Sequence, residues 1–595
     1  MRRGVGRLAG GLRRVAARPQ RLLLPALSAA TASLLAVVFY YPVATVFVDA
    51  VTVDGRVSLA PLSGVVSDSF YVGWLADPAS VSLRSVGELG RFGFTAWQAF
   101  LSTLASVALG LPGAWVLSRF EFRGRRTLRS VTILPFILPS MLVVVGFYAA
   151  FGTDGTLVEL ASAVGLSTPD LVPSLPAVVV AHAFYNAPLV TRVVTAAYER
   201  VDAGAVETAR ALGASRRRAF RDVVVPQLLP AVLVGATLTF VFTFASFPIV
   251  LALGGVRFAT VEVLLFSAIE QLDYGEAAAL AVLETGISLV LTAAYLRYER
   301  RARTERGAVR PLPRRSLLPE GWRAPATWTA RRLGSRLAVV AYGLVVAVVF
   351  VGPLASVVYE SLVVDGTVTT TAYEFLIRRQ QTGAAFQVKP WPAVRNSLLF
   401  GVATLVIALP AGVAVAVTTR RGRGGTLVDL LSAAPFAVSG IVVGLGLLRG
   451  LVFGTVVFGY RVTVSGPAAI AAAHAVAAYP FVVRNVAPAI DDLDEQLVES
   501  ARSLGASRAR ALVDVELPLI WPGVLAGAAF AFAVSVGDFD ATVVLAEGGG
   551  TYTMPVAVER YVGRRLGPAT AMGTVLLLVT TVSFVVLDRV GGEGV

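Results

Sequence analysis

The stretch DAGAVETARALGASRRRAFRDVVVPQLLP, Asp202–Pro230, recurs as DEQLVESARSLGASRARALVDVELPLIWP, Asp494–Pro522. The offset is 292 without a gap, and 16 of the 29 positions are identical. In each copy a Glu-x-Ala leads to a Gly six residues after the Glu, and a Pro stands 13 residues beyond that Gly. The residues are Glu207, Ala209, Gly213 and Pro226 in one copy, and Glu499, Ala501, Gly505 and Pro518 in the other. Both copies are polar and Arg-bearing, yet each lies within apolar sequence. A duplicated polar block of this kind predicts two equivalent handles on one side of a bilayer, offered to two equivalent partners.

Local chemistry gives each block a shape. Val206–Leu212 and Val498–Leu504 are short helix-forming runs with small residues. Gly213 and Gly505 suit a left-handed helix stop. The segments 214–222 and 506–514 then resume a helical pattern, so each block predicts helix, Gly turn, helix.

Around the blocks, 56% of the 595 residues are apolar, mean hydropathy is +0.72, and only 15% are charged, against roughly 25% in soluble proteins. Segments able to cross ~30 Å of hydrocarbon fall at 22–48, 92–118, 129–152, 172–198, 228–253 and 277–296. A second set falls at 337–360, 394–418, 427–452, 466–489, 519–545 and 567–588. The expected fold is an all-α polytopic membrane protein with about twelve spans in two parallel halves, 22–296 and 337–590. Residues 1–21 form a basic tail, and 297–336 an Arg- and Pro-rich linker with 12 Arg against three Glu. The excess of Arg in the linker, the copied blocks, Arg119–Arg129 and Arg420–Arg423 predicts cytoplasmic blocks and termini. Arg560, Arg564 and Arg565, before the last span, run against that rule.

Several function classes are excluded or disfavoured. Without cysteine there is no thiolate metal site or cysteine nucleophile, and no metal triad or Ser-His-Asp set stands out for an embedded enzyme. The net charge of +14 lies in short loops between spans, which argues against nucleic acid as a partner. Lys389, in QVKPW, is the single lysine, so a phosphate-binding Gly-Lys-Ser/Thr loop is missing and no ATPase site is expected in this chain.

Glu-x-Ala, Gly and Pro at this spacing, late in a six-span unit, resemble the EAA loop of permeases of binding-protein-dependent ABC importers. That signature runs E-A-A-x(3)-G-x(9)-I-x-L-P. Here Thr208 and Ser500 replace the middle Ala, Val223 and Val515 the Ile, and Val225 stands at the Leu position. A preceding His-x(5)-Pro-x(3)-Arg also repeats, as His182, Pro188, Arg192 and His474, Pro480, Arg484. The resemblance implies two fused type I importer permease units in a cell membrane. It further implies two copies of a separate ATPase that use ATP and dock on the blocks, and an extracytoplasmic substrate-binding protein.

Phe242–Gly255, Phe532–Gly550 and His182–Val194 are similar to thiamine permeases, and more loosely to iron(III) permeases. Sulfate, spermidine or phosphonate remain alternative substrates. A twelve-span secondary transporter would explain the repeat, but not the copied Glu–Gly–Pro spacing. Asp538, Asp540 and Glu284 are candidate pathway residues, because carboxylates in a membrane are functional candidates by default. Asp538 equally fits the cap of a short helix turning back into the membrane, and Glu284 a structural pair with an Arg. The two histidines, at equivalent positions, are expected to make structural hydrogen bonds and hold no metal.

Overall fold

The computed structural model describes residues 26, 28–73, 89–166, 171–303, 310–317, 330–364, 366–378, 387–421 and 434–591. The tail 1–21, the first residues of the 22–48 span, much of the 297–336 linker and residues 427–433 lie outside them.

Among the described residues, 11 helices are long and apolar enough to cross a membrane. Six lie in the first half: Ser28–Asp49, Gly90–Arg119, Ser140–Ala163, Leu175–Tyr198, Arg216–Phe244 and Tyr274–Glu299. Five lie in the second: Leu333–Leu362, Pro390–Thr419, Gly466–Asp491, Leu512–Gly537 and Leu566–Ser583. At the expected 427–452 span stands a shorter apolar helix, Gly440–Val452. The remaining structure is loops, short helices and two-stranded ribbons such as Thr455–Val457 with Tyr460–Val462.

Proline accounts for most departures from the expected spans. The 129–152 segment is not one helix. It breaks into Arg125–Ile133, a 3-10 turn Leu134–Ile137 holding Pro135, and a helix from Ser140 after Pro139. The second half repeats the design with a 3-10 turn at Ala434–Ala437 before Gly440. The 228–253 span ends at Phe244 and a new helix starts at Pro248; the 519–545 span ends at Gly537 and a new helix starts at Asp540.

Proline also sets the positions of four of the five wide, π-type turns among the described residues, the exception being Leu448–Val452. The four are Ala36–Tyr40, Phe220–Val224, Val346–Val351 and Leu512–Glu516. Each ends two residues before a proline: Pro42, Pro226, Pro353 and Pro518. The intervening residue donates its N–H five residues back, as Val225 does to Phe220 and Leu517 to Leu512. A proline has no N–H for the next bond, and its ring crowds the carbonyl four residues earlier. Widening the preceding turn relieves that crowding without ending the helix.

The packing units cross the sequence halves. One compact unit comprises the described parts of Met1–Val48, Gln380–Val556 and Leu576–Val595; the other comprises Asp49–Arg379 and Ala557–Val575. The first span therefore packs in a core made by the second half, with Leu35, Val38 and Phe39 buried against residues such as Val443, Leu447 and Tyr479. Paired glycines show how closely these helices meet. A Cβ on Gly446 would lie 2.5 Å from the Pro42 carbonyl oxygen, and one on Gly146 would lie 3.2 Å from Pro353. Small residues permit such approach where apolar burial alone gives no drive between helices in lipid.

One close crossing recurs in both units. A Cβ on Gly110 would lie 2.9 Å from Val190 Cβ, and one on Gly412 would lie 2.5 Å from Val482 Cβ. Val190 and Val482 are again 292 residues apart. Gly412→Val is expected to destabilise the protein by about 1–3 kcal/mol through overpacking. Thermal unfolding in detergent, followed by size-exclusion fluorescence, should show a lower midpoint than for the same change at Gly286, which has open space around it.

Candidate functional site

The two copied blocks fold into elbows whose turns and main capping bonds match; Asp202 alone accepts a second bond, from Ala205 N at 3.3 Å. Asp202 caps the helix Ala203–Ala211, accepting from Gly204 N at 2.9 Å; Asp494 caps Glu495–Ser503, accepting from Gln496 N at 2.9 Å. Each helix closes identically. Gly213 N donates to Arg210 O at 3.1 Å and Ala214 N to Ala209 O at 3.0 Å; Gly505 N donates to Arg502 O and Ala506 N to Ala501 O, both at 3.0 Å. Gly213 has φ +89° and Gly505 +91°, the left-handed region that a side chain disfavours. Ser215 and Ser507 then cap the next helix, accepting from Arg218 N and Arg510 N at 3.2 Å.

That second helix runs through the wide turn straight into a span, Arg216–Phe244 or Leu512–Gly537. Elbow and span therefore share one continuous helical backbone. Pro226 and Pro518 sit at this junction. Glu207, Gly213, Glu499, Gly505 and both prolines are exposed, whereas Ala209 and Ala501 are half-buried.

A second repeated feature lies where the same spans end. In the first half, buried His182 has its Nε2 2.8 Å from Ser246 Oγ and its Nδ1 2.8 Å from Gln98 Nε2. In the second, buried His474 has its Nε2 2.8 Å from Thr542 Oγ1 and 3.2 Å from Asp538 Oδ1, with Nδ1 2.8 Å from Ser535 Oγ. Ser246 and Asp538 are equivalent by the 292-residue offset. Asp538 also accepts from Thr542 N at 3.1 Å and Thr542 Oγ1 at 2.9 Å, bonding the first turn of the helix Asp540–Leu545. Asp540 lies against Gly440 and makes no hydrogen bond or ion pair with another described residue.

Against this geometry, the family comparison is decisive. The chain matches the model of the "binding-protein-dependent transport system inner membrane component" twice, over residues 106–304 and 405–591, each match containing one elbow. The chain belongs to this family of importer permeases.

The permease is also similar to curated relatives along most of its length. It is 27% identical to the thiamine transport system permease protein ThiP of Escherichia coli over 85% of this chain and 89% of that one. The corresponding protein of Brucella abortus is 27% identical over 83% of this chain and 86% of that one. The sulfate transport system permease protein CysT of Salmonella typhimurium is 29% identical over 39% of this chain and 83% of that one.

The structure adds permease residues that sequence reasoning passed over. Leu212 and Leu504, at the tips of the elbows, are 83% and 90% exposed. The signal was present as a Leu repeated beside the Gly turn in a polar block. Glu284 is buried, and Ser288 Oγ donates to its Oε1 at 2.8 Å. Among the described residues it has no Arg partner, contrary to the expected pair.

Proposed function

We propose that this permease subunit carries thiamine, driven by two copies of a separate ATPase that dock on the elbows from the cytoplasmic side. An extracytoplasmic binding protein delivers the substrate, and both chain termini lie in the cytoplasm. The observation that carries the docking reading is the match between two elbows whose backbone bonds, capping residues and exposed leucine tips all repeat. A lone exposed Leu needs no explanation; the same Leu exposed at both ends of a 292-residue repeat points to burial by an equivalent partner on each.

Coverage supports thiamine. Relatives named for thiamine align along both halves, whereas the relative named for sulfate aligns along 39% of the chain. Sulfate is the second reading on that partial match. Iron(III) rests on sequence resemblance alone.

Uptake of labelled thiamine in cells supplying the ATPase and binding protein tests the reading. Uptake is expected to require this chain, to stop on ATP depletion and to be unaffected by excess sulfate. Deleting Gly213–Arg221 should leave the protein in the membrane while ATPase co-purification and uptake both disappear. Thiamine uptake that persists without ATP but collapses with the ion gradient would instead establish a secondary transporter.

A further inference from the structure

We propose that the linker segment Arg310–Leu317 is a strap that holds the first elbow, so that the chain offers its ATPase partners two chemically different elbows. The proposal rests on the docking reading above. It begins from a departure from expectation: this part of the linker, which has no apolar period, is built into the structure.

The strap meets the elbow through backbone and side chain together. Ala203 N donates to the Arg310 carbonyl at 2.9 Å, and Asp202 pairs with Pro311 in an antiparallel bridge. Arg310 Nη2 reaches Glu207 Oε1 at 2.5 Å. Leu312 packs on the small cluster of Tyr198, Val201, Val224 and Leu228 beneath the elbow.

Beyond the elbow, the strap is fastened to the ends of two spans. Arg314 Nη2 donates to Glu199 Oε1 at 2.7 Å, and the same oxygen accepts from Arg125 at 3.3 Å. Arg315–Ser316 pairs in parallel with Phe120–Glu121, and Leu317 N donates to the Glu121 carbonyl at 2.9 Å.

Magnitudes separate what holds the strap from what it changes. Arg310 and Glu207 are 70% and 60% exposed, so their pair contributes little to stability, about 0–1 kcal/mol. The Leu312 contact, the backbone bonds and the Arg314 bond to Glu199, a carboxylate also held by the 10%-exposed Arg125, hold the segment. Burial, and secondarily the charge of Arg314, lower the Arg125 pKa from its ordinary value, with Glu121 and Glu199 opposing. The exposed pair matters for charge. It neutralises Glu207 before any partner arrives. Glu499, its counterpart, forms no ion pair among the described residues. One ATPase subunit therefore meets a neutralised pair, and the other a carboxylate with no ion-pair partner among the described residues.

The absence of native cysteine makes a two-part test clean. In the full chain, Val206→Cys with Leu312→Cys, plus a protease site placed between residues 304 and 309, reports the strap without ATPase. After mild oxidation and cleavage, the two pieces should stay joined on a non-reducing gel; separation would overturn the strap. In the complex with its ATPase, Glu207→Arg and Glu499→Arg are each expected to reduce retained ATPase about tenfold. Adding Arg310→Glu should restore the first variant and leave the second unchanged. Rescue of both, or of neither, would overturn the inequivalence. Full retention by both charge reversals would overturn the docking reading instead, and the cross-link would still decide whether the strap exists.

Discussion

Leu212→Asp combined with Leu504→Asp is expected to leave the permease folded and in the membrane while abolishing ATPase co-purification and transport. Both leucines are almost fully exposed in the free chain, so the changes remove no contact that holds the elbow. Burying one such side chain in a partner's groove contributes about 2 kcal/mol, roughly a 30-fold change in affinity. The two sites act on one complex, so the double variant multiplies the losses, to about a thousandfold. A charge placed where an apolar groove closes deepens the loss further. Each single variant should retain measurable ATPase, whereas the double should retain none at concentrations that saturate the parent. ATP hydrolysis by the reconstituted complex and retained ATPase are the measurements. A double variant that binds and hydrolyses normally would show that the tips are not where the partner is held. The second such measurement, on Leu212→Ala with Leu504→Ala, separates lost burial from added charge and should lie between the parent and the Asp pair.

Such positions were only partly legible in the sequence, for physical reasons. The elbow shape was legible because its determinants are local: the turn needs positive φ at Gly213 and Gly505, and its helices need capping side chains at Asp202, Asp494, Ser215 and Ser507. The spans were legible because hydrocarbon demands a long apolar run. Their interruptions were not, since hydropathy averages over a missing N–H at Pro135 or Pro248. Nor was the exchange of first spans between packing units. Pro42 and Phe39 are as compatible with lipid as with a protein neighbour, and composition alone does not choose between them. The strap was missed for a different reason. Arg310, Arg314 and Leu317 are held mostly by backbone bonds and ion pairs to residues more than a hundred positions away, and these leave no periodic pattern.

At the histidine corners, the same repeat that exposed the elbows separates two roles for Asp538. If its charge were needed to pass a cationic substrate, nothing in the first half would mirror it; if its work is to bond His474 and the next helix, its counterpart should do the same. The counterpart, Ser246, bonds His182 at 2.8 Å with no charge at all. Asp538→Ser is therefore expected to keep uptake within about threefold of the parent, since Ser and Asp are nearly equal as helix caps. Asp538→Leu removes the acceptor for Thr542 N and Thr542 Oγ1 and one partner of buried His474. Leaving these buried hydrogen-bonding groups without their acceptor costs about 1–3 kcal/mol each, enough to deplete folded protein in the membrane. Thermal stability in detergent and uptake of labelled thiamine, measured on both variants, decide the matter. A Ser variant that is stable but does not transport would place the Asp538 charge in the substrate's path. A Ser variant that transports leaves Asp540, whose first-half counterpart is Pro248, as the carboxylate free to meet the substrate. Asp540→Asn should then reduce uptake at least tenfold with the melting point unchanged, the loss expected when a charge-assisted contact to a cation is removed.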